Sequence, residues 1–295
     1  MERTFGRTTW IDLIKPDEKT LEDVQIKFKL HKAIIEELRV SSARSKVQAY
    51  GGYIYLIYYF PVYDPAEQTS RRCEIDFVIT DDTVITVHYE EIEPIKEIKE
   101  LKQEFKDSFE LTYKIISSLL NYQERQLHHI REKVESVGSM LFLNKERDVL
   151  RTVSRLKRDI SEYRIISRQQ TPLLESLLGS GLKFFGNEEA NKPYVDALVG
   201  GHIKILNFIE DYREAVLDYE HTNDQLMNLK INEALKTFTI LSFLTFPFVL
   251  FVAIADADLM DNPFRDIPGG FYIVIALVAA GMLALYNYFK NKRFL

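Results

Sequence analysis

Residues 237–255 read TFTILSFLTFPFVLFVAIA, and these 19 consecutive positions contain no charged side chain. A helix needs about 20 predominantly apolar residues to cross the hydrocarbon core of a bilayer, which is roughly 30 Å thick. A second run, GGFYIVIALVAAGMLALYNYF at 269–289, is uncharged over 21 positions. A buried hairpin of a soluble protein is rarely so uniformly apolar. The two runs therefore predict a hairpin of two membrane-spanning helices.

The charges beside the two runs predict their orientation. Lys230 and Lys236 precede the first run, and a basic segment, 290–293, follows the second. The connecting loop, 256–268, carries four aspartates and one arginine. Because basic residues favour the cytoplasmic side, we expect an inner or plasma membrane protein with both termini in the cytoplasm and this loop outside.

The rest of the 295-residue chain is polar. Charged residues make up 28%, the net charge is −6 and the mean hydropathy is −0.16. The single cysteine, Cys73, excludes an intrachain disulfide and fits a reducing compartment, and no N-terminal signal peptide is expected. We expect three parts: a cytoplasmic α/β domain at 1–92, long cytoplasmic helices at 93–236 and a transmembrane domain at 237–295.

Short alternating patterns in the first part predict its strands and helices. We expect strands at 7–13 and 53–63, the latter ending near Pro61, and a hairpin of strands at 74–80 and 83–89. Two helices are expected between them, at 17–30 and 31–38.

From residue 93 the apolar residues recur every three or four positions, which predicts helices. One helix is expected over 94–138 and a second over 144–178, followed by a loop at 179–192. A third helix begins at Pro193, a favoured residue of the first turn, and continues into the membrane. A helix of this length needs partners, which are either the two preceding helices or other copies of the chain.

No motif organises a catalytic, cofactor or nucleic-acid site. The six histidines follow no metal-binding spacing, and the glycine-containing segment 179–181 lacks the lysine and hydroxyl residue of a phosphate-binding loop. The basic runs at 151–158 and 290–293 are short and are better explained as a solvated helix face and a membrane anchor. We therefore expect neither an enzyme, nor a resident cofactor, nor a nucleic-acid partner.

Several stretches are similar to one known family. They include TWIDLIKP (9–16), FKLHKAIIEEL (28–38), KVQAYGGYIYLIYYFPVY (46–63), the helix at 155–178 with Pro172, and FKNKRFL (289–295). The most specific is 211–251, which contains Asn232, Glu233, Lys236, Thr239 and Pro247. Over nearly its whole length the chain resembles the CorA family of divalent-cation transporters.

This resemblance implies an architecture and an activity. The expected fold is an α+β cytoplasmic domain followed by long stalk helices and a two-helix transmembrane hairpin, which together form a funnel. Five identical chains would assemble in the lipid bilayer, with the first membrane helix of each lining one axial pore. Divalent cations such as Mg²⁺ would be the transported or regulatory ions.

The family's Gly-Met-Asn motif at the outer end of the pore helix is absent. Counted without gaps from Asn232 and Pro247, its place is taken by Asp256, Ala257 and Asp258. Because the family captures hydrated Mg²⁺ there, this departure leaves the identity of the ion open. The alternative is a CorA-like membrane protein that does not transport Mg²⁺ and instead passes a different ion, senses the membrane or acts as a scaffold.

A helix that faces a symmetry axis presents one stripe of residues at three- and four-residue steps. We call the stripe that begins at Asn232 the axial stripe, and by resemblance its members match the family's pore-facing positions. Large apolar rings in a pore can gate by dewetting; the alternative is ordinary packing between helices. The stripe consists of Asn232, Leu235, Phe238, Ser242, Phe246, Val249, Ala253 and Asp256.

The two aspartates at the end of the stripe are candidate metal ligands. Asp258 joins Asp256 at the axis only if the helix ends near 256, since two residues turn a helix by about 200°. Rings of carboxylates select cations and suit hard ions such as Mg²⁺, Ca²⁺ or Mn²⁺; alternatively, both are exposed loop residues. A weaker candidate for a regulatory cation site is Asp196, which otherwise is a first-turn residue that favours the helix dipole.

Overall fold

The computed structural model describes residues 2–42, 45–101, 103–143, 145–177, 182–186, 188–256 and 268–291. The chain divides into two compact units, Met1–Glu220 and His221–Leu295. The first contains a six-stranded sheet with helices, and the second contains two apolar helices. The predicted class, an α+β domain followed by long helices and a C-terminal apolar hairpin, is confirmed.

The sheet of the first unit has the strand order β1-β2-β6-β5-β4-β3. Strands β2 and β6 are parallel, and the other neighbouring pairs are antiparallel. The strands are β1 (Glu2–Phe5), β2 (Thr8–Ile14), β3 (Lys46–Ala49), β4 (Ile54–Asp64), β5 (Thr69–Ile79) and β6 (Thr83–His88).

The described helices are α1 (Glu18–Phe28), α2 (Lys32–Leu38), α3 (Glu93–Lys99), α4 (Ser108–Met140), α5 (Glu146–Arg168), α6 (Gln170–Ser176), α7 (Leu182–Phe185), α8 (Glu188–Asp256) and α9 (Gly270–Asn291). Within the first unit, α1 and α2 pack on one face of the sheet, and α3, α4 and α5 pack on the other.

The core of the first unit follows the two-residue period of its strands. In β4, Leu56 and Tyr58 face the core that includes α3, α4 and α5, whereas Tyr55 and Ile57 face α1 and α2. All four side chains are buried. A strand that is apolar at every position fits a sheet with helices on both faces.

The predicted end of the strand near Pro61 is wrong, because β4 continues to Asp64. Pro61 lies opposite Arg72 of β5, and β3 pairs with β4 only as far as Ile57 among the described residues. Beyond Ile57 the strand is therefore at the edge of the sheet, where proline is tolerated. Strands β1 and β3, each of four residues, were not predicted.

The single helix predicted over 94–138 is also wrong, because it is divided into α3 and α4. Between them Phe105 forms a β-bridge with Gly6, and the Asp107 carboxylate caps α4 by accepting a hydrogen bond from the Glu110 amide at 2.9 Å. The aspartate supplies the capping group that the new helix needs. The apolar periodicity continues across this break and conceals it.

The loop predicted at 179–192 is partly helical. It contains the short helix α7, and α8 begins at Glu188 instead of Pro193. Asp196 therefore lies in the third turn of α8, so its interpretation as a first-turn residue beside the helix dipole is wrong. Its side chain is exposed.

Candidate ion pathway

In the second unit, α9 packs against one face of the C-terminal part of α8. The rings of Phe243 and Phe289 are 6.4 Å apart. Gly281 of α9 lies so close to Phe248 of α8 that a Cβ atom there would be 3.0 Å from its Cε1. Ile240 of α8 is buried. These contacts define the α9-facing side of the helix.

Part of the axial stripe lies on the opposite side of α8. Phe238, Ser242 and Val249 are two or nine residues from Ile240, which places them about 160–180° around the helix from it. Phe238, Phe246 and Val249 are 68%, 69% and 66% exposed within the single chain. In a membrane span, apolar side chains this exposed are covered either by lipid or by another chain.

The hydroxyl groups in this part of α8 bond to the helix backbone. Ser242 donates to the Phe238 carbonyl at 2.9 Å, Thr245 to the Leu241 carbonyl at 2.9 Å and Thr237 to the Glu233 carbonyl at 3.0 Å. Each hydroxyl oxygen keeps lone pairs that can accept a further hydrogen bond. On the stripe, Ser242 thus presents a polar acceptor between the rings of Phe238 and Phe246.

The two ends of the stripe are polar. Asn232 is exposed at its start, and the helix is described through Asp256 at its end. The Asp256 side chain and the whole of Asp258 lie outside the described residues. Among the residues that are described, no three His, Cys, Asp or Glu side chains are grouped so that they could hold a metal ion.

Two of the histidines, His88 and His202, are buried within the first unit. His88 Nε2 lies 3.1 Å from Asp12 Oδ1, and Lys99 Nζ lies 2.6 Å from Asp12 Oδ2. Burial alone would raise the pKa of Asp12, but these two partners lower it. His202 Nε2 lies 2.9 Å from Thr171 Oγ1, and burial lowers its pKa to about 4.

Both apolar helices are long enough to span a membrane. Each contains an 18-residue window of mean hydropathy 1.9 (in α8) or 1.8 (in α9), and only 6% of either window is buried within the chain. The core helix of a soluble protein would be mostly buried. The exposure of these windows therefore favours membrane spans over a soluble core.

The family described as CorA-like Mg²⁺ transporter proteins matches residues 6–293. The chain belongs to this family. The cobalt/magnesium transport protein CorA of Thermotoga maritima is 20% identical to this CorA-like chain over an alignment of 306 positions, which covers 99% of the chain and 85% of that protein. The cobalt/magnesium transport protein CorA of Methanocaldococcus jannaschii is 20% identical over 302 residues, with coverage of 97% and 91%.

A solved structure agrees in fold. The complete structure of the CorA magnesium transporter from Methanocaldococcus jannaschii superposes with a TM-score of 0.83 at 18% identity, and covers 96% of this CorA-like chain and 90% of the other. At that identity the likeness shows the fold.

Proposed function

We propose that this chain transports divalent cations across a membrane, along a pathway lined by the axial stripe of five α8 helices. Family membership supports the activity. The assignment of the pathway to this side of α8 is supported by the exposure of Phe238, Phe246 and Val249, which α9 leaves uncovered. Copies of the same stripe around one axis would cover this surface.

The composition of the stripe favours a pore over a lipid-facing surface. Asn232 and Asp256 are polar and lie 24 residues apart, which is about 36 Å along a helix and slightly more than the roughly 30 Å of a hydrocarbon core. Ser242 lies between them. Lipid tails cannot hydrogen-bond to these three polar side chains, whereas water in a pathway would solvate all of them.

The outer end of the proposed pathway is a ring of carboxylates from Asp256, which Asp258 joins if α8 ends at 256. Two unit charges roughly 8 Å apart repel by about 2 kcal/mol at an effective dielectric constant near 20. A cation at the centre relieves this repulsion. Carboxylate oxygens can also replace part of an ion's water shell, so we expect less preference for fully hydrated Mg²⁺ than a neutral asparagine ring would give.

The three parts of the chain are assigned to the two sides of the membrane and to the membrane itself. Residues 1–92 and 93–236 are cytoplasmic, 237–295 form the membrane domain, and both termini face the cytoplasm. The regulatory role of Asp196 stays a prediction. It can be tested by asking whether Asp196→Asn changes the inhibition of uptake by internal Mg²⁺.

The test is cation uptake into sealed proteoliposomes with an inside-negative potential, measured for Mg²⁺, Ca²⁺, Mn²⁺ and Co²⁺. Native mass spectrometry of the same preparation counts the 34.5 kDa chains in the assembly. Saturable uptake of at least one divalent cation by a five-chain assembly is the expected result. A folded pentamer that passes none of them would favour the alternative, a CorA-like sensor or scaffold.

A further inference from the structure

A cavity of about 200 Å³ lies within the first unit. It opens between the turn that joins β4 to β5 and the two helices α4 and α5. The axial stripe contributes nothing to it. Its lining includes Tyr63, Gln68, Lys133, Thr152, Arg155 and Asp159.

The most constrained group in the cavity is the carboxylate of Asp159, whose residue is 1% exposed. Its Oδ1 accepts two hydrogen bonds from Ser70, one from the amide and one from the hydroxyl, each at 2.7 Å. Its Oδ2 is equally buried and accepts no hydrogen bond from the described residues, although it forms an ion pair with Lys133, whose Nζ is 3.7 Å away. A buried carboxylate oxygen without a hydrogen-bond donor is costly, so a ligand hydroxyl that reaches this oxygen beside Lys133 would supply the missing hydrogen bond.

Two cations line the same cavity. Lys133 is held over the ring of Tyr63, with Nζ 4.5 Å from its centroid, and donates a hydrogen bond to the Tyr63 hydroxyl at 3.3 Å. Arg155 is exposed and has no ion-pair partner within the described part of the chain. With Asp159 included, the lining carries a formal charge of +1. A ligand with one negative charge balances it.

The turn that closes the cavity is held in an unusual conformation. Gln68 has a φ of +52°, in the left-handed region that glycine and asparagine occupy far more readily than glutamine. Such positions gather at ligand clamps and other functional sites. The Gln68 side chain lines the cavity, where its amide can both donate and accept hydrogen bonds.

We propose that this cavity binds a small organic anion that carries hydroxyl groups. A ligand hydroxyl donates to Asp159 Oδ2, and the carboxylate or phosphate of the ligand faces Arg155 and Lys133. At roughly 30 Å³ for each water, the cavity holds about seven waters. That is the size of a three-carbon hydroxy acid such as glycerate. This site is separate from the ion pathway, and its test does not depend on transport.

The test is calorimetric titration of the full chain in detergent with glycerate and with glycerol 3-phosphate. Propionate serves as the ligand control, because it keeps the charge of glycerate and lacks the hydroxyl groups. We expect glycerate to bind at least about tenfold more tightly than propionate, because a hydrogen bond to a charged carboxylate contributes at least that much to the affinity. Absence of binding by both hydroxylated anions at about 10 mM would overturn the proposal.

Three variants assign the binding to these residues. Arg155→Gln should weaken glycerate binding about tenfold, whereas Arg158→Gln, an exposed arginine of the same helix outside the cavity lining, should leave it unchanged. Asp159→Asn replaces the free acceptor with a donor and should remove the advantage of glycerate over propionate. Arg155 is exposed, so its variant is expected to fold; wild-type affinity in Arg155→Gln would contradict the proposed site.

Discussion

Asp256 is the residue on which the proposed ion selectivity depends. By the resemblance it takes the place of the family's Gly-Met-Asn motif, and by spacing it continues the axial stripe, whereas Asp258 is about 200° away if the helix continues. A carboxylate attracts a cation by charge and can displace its water, whereas an asparagine offers only a neutral dipole. The charge at position 256 is therefore expected to set the affinity of the outer mouth.

Neutralising that charge gives the first prediction. Asp256→Asn should raise the cation concentration for half-maximal uptake into proteoliposomes by about tenfold, because five carboxylates are lost from one ring. Asp258→Asn should have a smaller effect. Cation affinity that is unchanged in both variants would mean that these aspartates only mark the outer side of the membrane.

His202 gives a prediction about acid stability. Burial lowers its pKa to about 4 from an ordinary value of 6.5, so between these values the unfolded chain binds the proton that the folded chain excludes. Stability should therefore fall as the pH drops from 6.5 towards 4, by about 3 kcal/mol in all. Thermal unfolding in detergent at several pH values should show a shallower acid limb for His202→Gln. The exposed control, His128→Gln, should keep the wild-type slope.

At the scale of elements, the α8–α9 contact depends on a small residue. A Cβ atom at Gly281 would already lie 3.0 Å from Phe248, so a larger side chain must push the two helices apart. Gly281→Leu should destabilise the hairpin by about 1–3 kcal/mol, as overpacking usually does. The midpoint of thermal unfolding in detergent measures this effect. Ala280→Leu, at an exposed position of α9, should have little effect; equal losses in the two variants would argue against a close contact at Gly281.

The face of α8 that lines the pathway can be tested with two matched leucines. Leu235 and Leu241 are each 56% exposed, but their six-residue separation puts them about 120° apart around the helix. A cationic thiol reagent should block cation uptake in Leu235→Cys and leave Leu241→Cys active. The native thiol should not interfere, because burial raises the pKa of Cys73. Block at 241 but not at 235 would place the pathway on another face.

A comparison of the predicted and observed helices and strands shows which sequence patterns determine where an element begins and ends. The strands β4, β5 and β6 and both apolar helices follow from runs of apolar residues, because burial or membrane insertion requires such runs. The break between α3 and α4 does not, since it depends on the contact of Phe105 with Gly6, which are distant in sequence. The length of β4 beyond Pro61 likewise depends on where its neighbour β3 ends.

At the scale of the whole molecule, the fold and family were predictable because the apolar hairpin and the 211–251 segment are specific. The cavity beside Asp159 was not, because its lining comes from β4, the following turn, α4 and α5, whose juxtaposition no local pattern encodes. The proposed outer mouth, a ring of Asp256 carboxylates, would exist only in an assembly of several chains. Spacing along one chain selects Asp256, but only several chains together make a ring.

The most direct test is a structure of the assembled protein in the presence of Mn²⁺, determined in lipid. We expect a five-fold arrangement with α8 innermost, the axial stripe facing the axis, and Mn²⁺ density on the axis at the level of Asp256. An assembly in which α9 lines the axis, or in which α8 does so but no metal lies beside Asp256 at saturating Mn²⁺, would contradict this expectation.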